Sequence, residues 1–373
     1  MKRRAWAVLL TCALSATVSA ERLTLDEALA SVAAPHPDRR VAESALALSR
    51  ADREQAASRQ DFNLFLDGSL RTGRRPGGDW KPDNVGRVVA RKPLFDFGRS
   101  SQAIAAADQD IAARQAELLN VESLRRIDIM ARYFDVLLAD MQSAADNEFV
   151  AVAYVSWDDA QDRFEVGQIS QPDLLRLEAN YQDLRERRNA SRQRVRSTRQ
   201  KLAHAINRPG KLPTELADPA LADNARPLPG YESLLPWVME KNPRVLALQA
   251  QVAAADARLA AVRAERNPML DAEVVGGGYS RESTTRDELS AGLVFNIPLY
   301  QGARVDSRVA RELAQKERSI AELEKLKLDL ADTLLATLQE IEWLRDSGRP
   351  AADKQIEYRD WALERSRAEY ELE

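Results

Sequence analysis

Apolar residues recur every three or four positions through two stretches without proline, Arg99 to Arg163 and Leu174 to Ile206. That spacing predicts helices. At 1.5 Å per residue the first would run about 97 Å. Within it Leu124, Ile127, Ala131, Phe134, Leu138 and Met141 step by three and four in turn. This is a heptad seam, which calls for a supercoiled partner helix. Between the two stretches lies DRFEVGQISQPD, Asp162 to Asp173. Gly167 can end a helix in a left-handed conformation, Ser170 can cap the next, and Pro172 fits a first turn. The segment predicts a hairpin tip at about residues 165–172.

Upstream, Leu23 to Ala33 predicts a short helix capped by Thr24, and Asp38 to Gln60 a longer one. The period then changes. Residues of about 62–72 and 85–92 predict strands, with Leu64, Leu66, Gly68 and Leu70 on one face and the Pro- and Gly-rich segment Arg74 to Asp83 as a loop. The same order recurs 206 residues later: Pro243 matches Pro37, and Tyr231–Asn242 and Arg244–Arg266 match the two upstream helices. Met269–Tyr279 and Leu289–Ile297 match the strands around a polar loop, Ser280 to Glu288. Pro93-Leu94-Phe95-Asp96-Phe97-Gly98-Arg99 is echoed by Pro298-Leu299-Tyr300-Gln301-Gly302-Ala303-Arg304. A long helix with Leu323, Leu326, Leu330, Leu334, Ile341 and Leu344 follows, interrupted at Arg345 to Pro350. The chain therefore reads as a duplication: a first repeat over 21–206, a proline-rich connector over 207–230, and a second repeat over 231–373. Phe164 aligns with Tyr370 at the same offset, so the second repeat is expected to be truncated at its tip, lacking a return helix.

Composition adds an address. The chain has 373 residues, 45% hydrophobic and 30% charged, with a net charge of −4; near-balance of charge gives no support for nucleic-acid binding. Residues 1–20 predict a secretory signal peptide: Lys2, Arg3 and Arg4, an apolar core from Ala5 to Ala16, and Val18-Ser19-Ala20 at the cleavage site. Cys12, the single cysteine, offers lipid attachment as an alternative processing route. Cleavage after Ala20 leaves no cysteine for disulfides or thiolate metal sites. No other stretch is expected to form a membrane helix.

Candidate chemistry is sparse. His36 and His204 lie far apart in sequence, and no nucleophile elbow, phosphate loop or catalytic carboxylate pair is recognisable. The expectation is a non-enzyme without cofactor or metal. The eight basic residues between Arg185 and Lys201 predict a solvated helix face.

Four strands of about ten residues cannot close a barrel, for which bacterial proteins need about eight. An open sheet in lipid would leave backbone groups unpaired at several kcal/mol each. Strands in a membrane must therefore be shared between chains, and strand count alone allows two or three copies. The duplicated order, PLFDFGR and PLYQGAR, YFDVLLA at Tyr133 to Ala139, and RFEVGQISQPDLL at Arg163 to Leu175 resemble the TolC-type outer membrane factor family across essentially the whole mature sequence. The resemblance implies a mainly α fold with a membrane β-barrel portion, in which a homotrimer shares a 12-stranded barrel and an antiparallel coiled-coil α-barrel. It implies an outer-membrane duct reaching into the periplasm, in contact with outer-membrane lipid, a periplasmic adaptor protein and an inner-membrane pump, serving efflux or type I secretion.

Carried residue by residue, the resemblance implies adaptor contact at Val166, Gly167 and Gln168, and a gating latch at Asp173, which has helix capping as its other role. Phe62, Phe65, Phe95, Phe97, Tyr279 and Tyr300 fall near strand ends and suit a membrane-interface girdle. The alternative is a periplasmic coiled-coil structural or adaptor protein without a pore. The strands argue against it, because two hairpins alternate inside the helical repeat instead of forming separate β-domains.

Overall fold

A computed structural model describes residues 22–74, 76–210, 215–219, 227–281 and 284–370. The expected signal peptide, much of the connector and the extreme end of the second repeat lie outside these residues. In chain order the elements are α1 (Leu25–Ala30), α2 (Pro37–Ala57), β1 (Asn63–Ser69), β2 (Thr72–Arg74), β3 (Trp80–Phe95), α3 (Arg99–Glu165), α4 (Gln171–Ala205), α5 (Tyr231–Lys241), α6 (Pro243–Arg263), β4 (Met269–Arg281), β5 (Thr284–Asn296), α7 (Arg304–Trp343) and α8 (Arg349–Tyr370). Two compact units divide the chain, one of residues up to 40 and 121–224, the other of 41–120 and 225 onward.

The first unit is organised on α1, α4 and the distal part of α3. Thr24 caps α1 reciprocally with Glu27 in a capping box. Leu23, Ala28, Val32, Ile129, Tyr133, Val136, Leu202 and Ile206 form its core. Leu23 pairs in parallel with Leu216, and the Tyr133 hydroxyl lies 2.8 Å from the Leu23 carbonyl oxygen and 2.5 Å from that of Ala217. The tyrosine of the YFDVLLA segment thus ties the start of the described chain to the connector.

The heptad seam needs a correction. The side of α3 packed inside the first unit is Ile129, Tyr133, Val136, Ala139, Val150, Ala153 and Ala160, all buried. Leu124, Ile127, Leu138 and Met141 are exposed, and the same spacing carries on to the equally exposed Val152 and Val155. The helix has two apolar faces, and the one with the cleaner heptad is not the one this chain covers.

The second unit holds the sheet, ordered β1-β3-β4-β5 and antiparallel throughout, with β2 paired to the start of β3. The β3–β4 pairing joins one hairpin of each half. Both loop expectations were too long. Trp80 to Pro82 pairs with Thr72 to Arg74, and Thr284 to Glu288 pairs with Gly277 to Arg281. Backbone pairing satisfies these polar residues, which side-chain pattern alone did not reveal. Pro93 falls where the β3–β4 register shifts, and Pro82 where β3 pairs with the short β2, places a strand tolerates proline.

PLFDFGR is a strand-to-helix turn. The Asp96 carboxylate accepts the Ser100 amide at 2.7 Å, while Phe97 and Gly98 take φ of 51° and 94°. In PLYQGAR the left-handed residue is Gly302, φ 60°. The expected break at Arg345 to Pro350 is a π-helical turn, Leu344–Gly348, from which α8 continues with Pro350 in its first turn. Contrary to the sequence expectation, an 18-residue window within residues 243–266 reaches a mean hydropathy of 1.3, in a helix of a length that could cross a membrane. That helix is alanine-rich, buries Val245, Ala254, Ala255, Leu259 and Val262, and carries Arg258 in an ion pair with Asp110.

Candidate membrane and docking surfaces

Register sorts the sheet into two chemically distinct faces. Residues directly opposite in antiparallel pairs share a face. One face carries Leu64, Ala90, Val274 and Ala291 in one row, Leu66, Val88, Gly276 and Leu289 in the next, then Ala272 with Leu293 and Leu270 with Phe295. Leu64, Leu66, Leu289, Leu293 and Phe295 are all exposed. Lys92 interrupts this apolar band in the Ala272–Leu293 row near the helix end, and Asp287 bounds it near the hairpin end.

The other face carries charge. Arg91 donates to Glu273 at 2.9 Å through Nε, and Arg87 to Asp67 at 2.7 Å. Ser290, Glu288, Arg286 and Asn296 share it. Gly277 sits on this face against Arg87. A Cβ there would overlap the Gly86 carbonyl oxygen and stand 2.7 Å from the Arg87 Cα. β1 and β5 each pair on one side only, so both sheet edges are open among the described residues.

The six aromatics do not form one set. Phe95 lies on the apolar face and meets Phe97 edge-on at 4.6 Å. Phe62 precedes β1, Tyr300 follows β5, and both are exposed. Phe65 and Tyr279 lie on the charged face, where the Arg91 guanidinium sits 5.8 Å from the Phe65 ring centre. Strand-end position alone could not distinguish them, because a one-residue step reverses the face.

The hairpin tip is built from local capping. Gln168 N donates to the Arg163 carbonyl at 2.8 Å and Gly167 N to that of Phe164 at 2.9 Å, with Gly167 at φ 75°. This is a Schellman turn, which needs a residue free of Cβ strain at the left-handed position. Ser170 caps α4, and its hydroxyl donates to the Asp173 carboxylate at 2.6 Å. Arg176 lies 3.8 Å from Asp173. Val166, Gly167 and Gln168 project as an exposed tip.

Two polar clusters went unread in the sequence. In the second unit, a cavity of about 350 Å³ is bordered by α2, α3, α6 and α7. There the buried Glu265 pairs with Arg308 and lies 3.9 Å from Arg99. In the first unit His36 meets the backbone of His204, and Asp38 N donates to His36 Nδ1 at 3.2 Å. Burial, then the neighbouring Arg125 cation, pulls the His36 pKa below its usual range. Burial likewise lowers that of Arg125. The two histidines therefore meet, but as a packing contact; among the described residues no group of three or more potential ligands could hold a metal ion.

Residues 234–371 match the family described as outer membrane efflux protein. The chain is 23% identical over 306 residues to the outer membrane efflux protein BepC of Brucella suis biovar 1 (strain 1330), covering 79% of this chain and 65% of that protein. It therefore spans just under two thirds of the length of that curated relative. The fold is similar to the Campylobacter jejuni CmeC outer membrane channel, with a TM-score of 0.75 at 14% identity over 92% of this chain and 76% of that one. It is also similar to the outer membrane protein VceC of Vibrio cholerae, at 0.68 and 16% over 91% and 82%.

Proposed function

We propose that this chain belongs to the outer membrane efflux protein family, and is one protomer of a passive export duct in the outer membrane that extends into the periplasm. The observation that carries the reading is the two-faced sheet with both edges open. An apolar face suits lipid, a face of ion pairs suits a water-filled bore, and open edges suit pairing with strands of other copies. Leu289 to Ile297 spans about 27 Å along the chain, or about 20 Å at a barrel tilt of about 40°, close to the ~25 Å apolar band of such barrels. Three copies supply the 12 strands that the family resemblance implies. The exposed α3 seam gives the same copies a second contact, helix against helix.

No chemical barrier is lowered by such a duct. Val166, Gly167 and Gln168 meet the periplasmic adaptor, which couples the duct to an inner-membrane pump. Asp173 acts as a latch whose carboxylate exchanges its Ser170 and Arg176 partners as the tips splay. Phe62, Phe95, Phe97 and Tyr300 sit at the membrane interface; Phe65 and Tyr279 belong to the bore. The test is the full chain purified in mild detergent and inserted into a planar bilayer. A trimer with discrete conductance steps is expected. A monomer that stays soluble without detergent and leaves the bilayer silent would overturn the reading.

A further inference from the structure

One flank of α4 carries an arginine stripe that the duct does not use. Arg185, Arg188, Arg192, Arg196 and Arg199 step by three or four residues and so share one side of the helix. Their hydrogen bonds go mainly to neutral amides: Arg185 to Gln182 at 3.5 Å, Arg188 to Asn189 at 3.2 Å and Arg192 to Asn147 at 3.0 Å. Arg199 meets a carboxylate, Asp140, at 2.6 Å. Amide partners leave the positive charge uncompensated, and the buried Nε of Arg188 has no acceptor. Glu186 sits at the margin of the stripe. Gln182, Asn189, Gln193 and Gln200 lie along the same flank. At its tip end, Tyr181 stacks on Trp157 at 5.4 Å and meets the exposed Tyr154 at 5.7 Å.

Which way this flank faces follows from α3, given the duct reading, on which this inference rests. At about 100° per residue, the α4-facing residues (Asp146, Val150, Ala153, Ala160) and the exposed seam (Leu138, Met141, Val152, Val155) lie about 125° apart around the helix. A helix in a ring has its two neighbours nearer together on the bore side. The wider arc, which carries Asp140, Asn147 and Tyr154, therefore faces outward. Asp140, Asn147 and Tyr154 are the α3 residues that touch Arg199, Arg192 and Tyr181. The stripe is on the outside of the periplasmic tube, beginning about 21 Å from the start of α4 at the tip.

We propose that this flank docks the cell-wall polymer, whose glycan strands carry peptide stems with free carboxylates. Guanidinium forks suit carboxylates, side-chain amides suit sugar hydroxyls, and an exposed aromatic platform suits the apolar face of a sugar ring. A phospholipid headgroup would use the arginines alone.

The test is co-sedimentation of the detergent-solubilised full chain with purified cell-wall sacculi. Binding is expected, and it should weaken about tenfold in the triple variant Arg185→Gln, Arg188→Gln, Arg196→Gln. The corresponding lysine variant should recover part of it. Arg194→Gln with Lys201→Gln, on the opposite flank, should bind like the parent. Absence of sedimentation, equal loss in the opposite-flank variant, or equal or stronger binding to anionic phospholipid vesicles or to an acidic polypeptide would overturn the proposal. Trimer size and bilayer conductance of the triple variant report separately on the duct: a non-conducting parent sinks the duct reading, whereas a conducting parent that ignores sacculi sinks only this one.

Discussion

The exposed seam on α3 makes a quantitative claim. Leu138 is 67% exposed within one chain. Burying a whole leucine side chain contributes about 1.5–3 kcal/mol, so covering the two thirds still in water contributes about 1–2 kcal/mol per protomer. In a closed ring of three the contact occurs three times, about 3–6 kcal/mol per assembly, most of which Leu138→Ala removes. Alanine is the best helix former, so the substitution leaves α3 intact and isolates the association step. At 1.4 kcal/mol per factor of ten, the trimerisation constant should fall by roughly two to four orders of magnitude.

Light scattering on a dilution series in mild detergent measures it, with circular dichroism to verify helix content. Gln193→Ala, an exposed polar position on α4, should leave the dissociation midpoint unchanged. If Leu138→Ala dissociates at the parent's concentration with its helices intact, the seam is not an interface and the argument from its periodicity fails.

Three further outcomes follow from single contacts. Gly277→Ala should lower trimer melting by the equivalent of about 1–3 kcal/mol per protomer through overpacking against Gly86 and Arg87, whereas Gly292→Ala, with open space around it, should be near neutral; equal melting of the two variants would refute this. Tyr133→Phe leaves the ring in place but strands the Ala217 carbonyl oxygen, costing about 1–2 kcal/mol; hydrogen exchange at the Leu23 and Ala217 amides should quicken, and unchanged rates would show the hydroxyl is idle. His36 has a folded pKa below its unfolded value of about 6.5, so both states are neutral above that pH and no stability is at stake. As pH falls below it the unfolded chain takes the proton first and stability drops. His36→Gln should flatten the fall in melting temperature between about pH 7.5 and pH 5.5, and an unaltered slope would remove His36 as its source.

What could be read from the sequence divides by the range of the interactions involved. The tip was legible because capping is local: Gly167, Ser170 and Asp173 do their work within a few residues of one another. β5 was legible from Leu289 to its end at Asn296, where alternation is strict. Its first residues and the start of β3 were not, since Thr284 and Trp80 are held by backbone partners rather than by pattern. The opposed charges Arg91 and Glu273 lie 182 positions apart and become a pair only through the β3–β4 register. The face on which Phe65 and Tyr279 lie is set by the same long-range register.

The seam is the instructive case. Its period predicts a partner helix, yet Leu124, Ile127, Leu138 and Met141 stay exposed in this chain. Ile129, Tyr133 and Val136 supply the internal contact from a different side of α3. A helix that must bury one face at home and another elsewhere needs two apolar stripes separated by polar arcs, and α3 has both. The open edges of β1 and β5 pose the same demand in the sheet. Two elements of different kinds, with different periods, each leave apolar or unpaired groups that the described residues do not cover. Folding alone gains nothing from leaving them so; in the proposed duct, association would cover both at once.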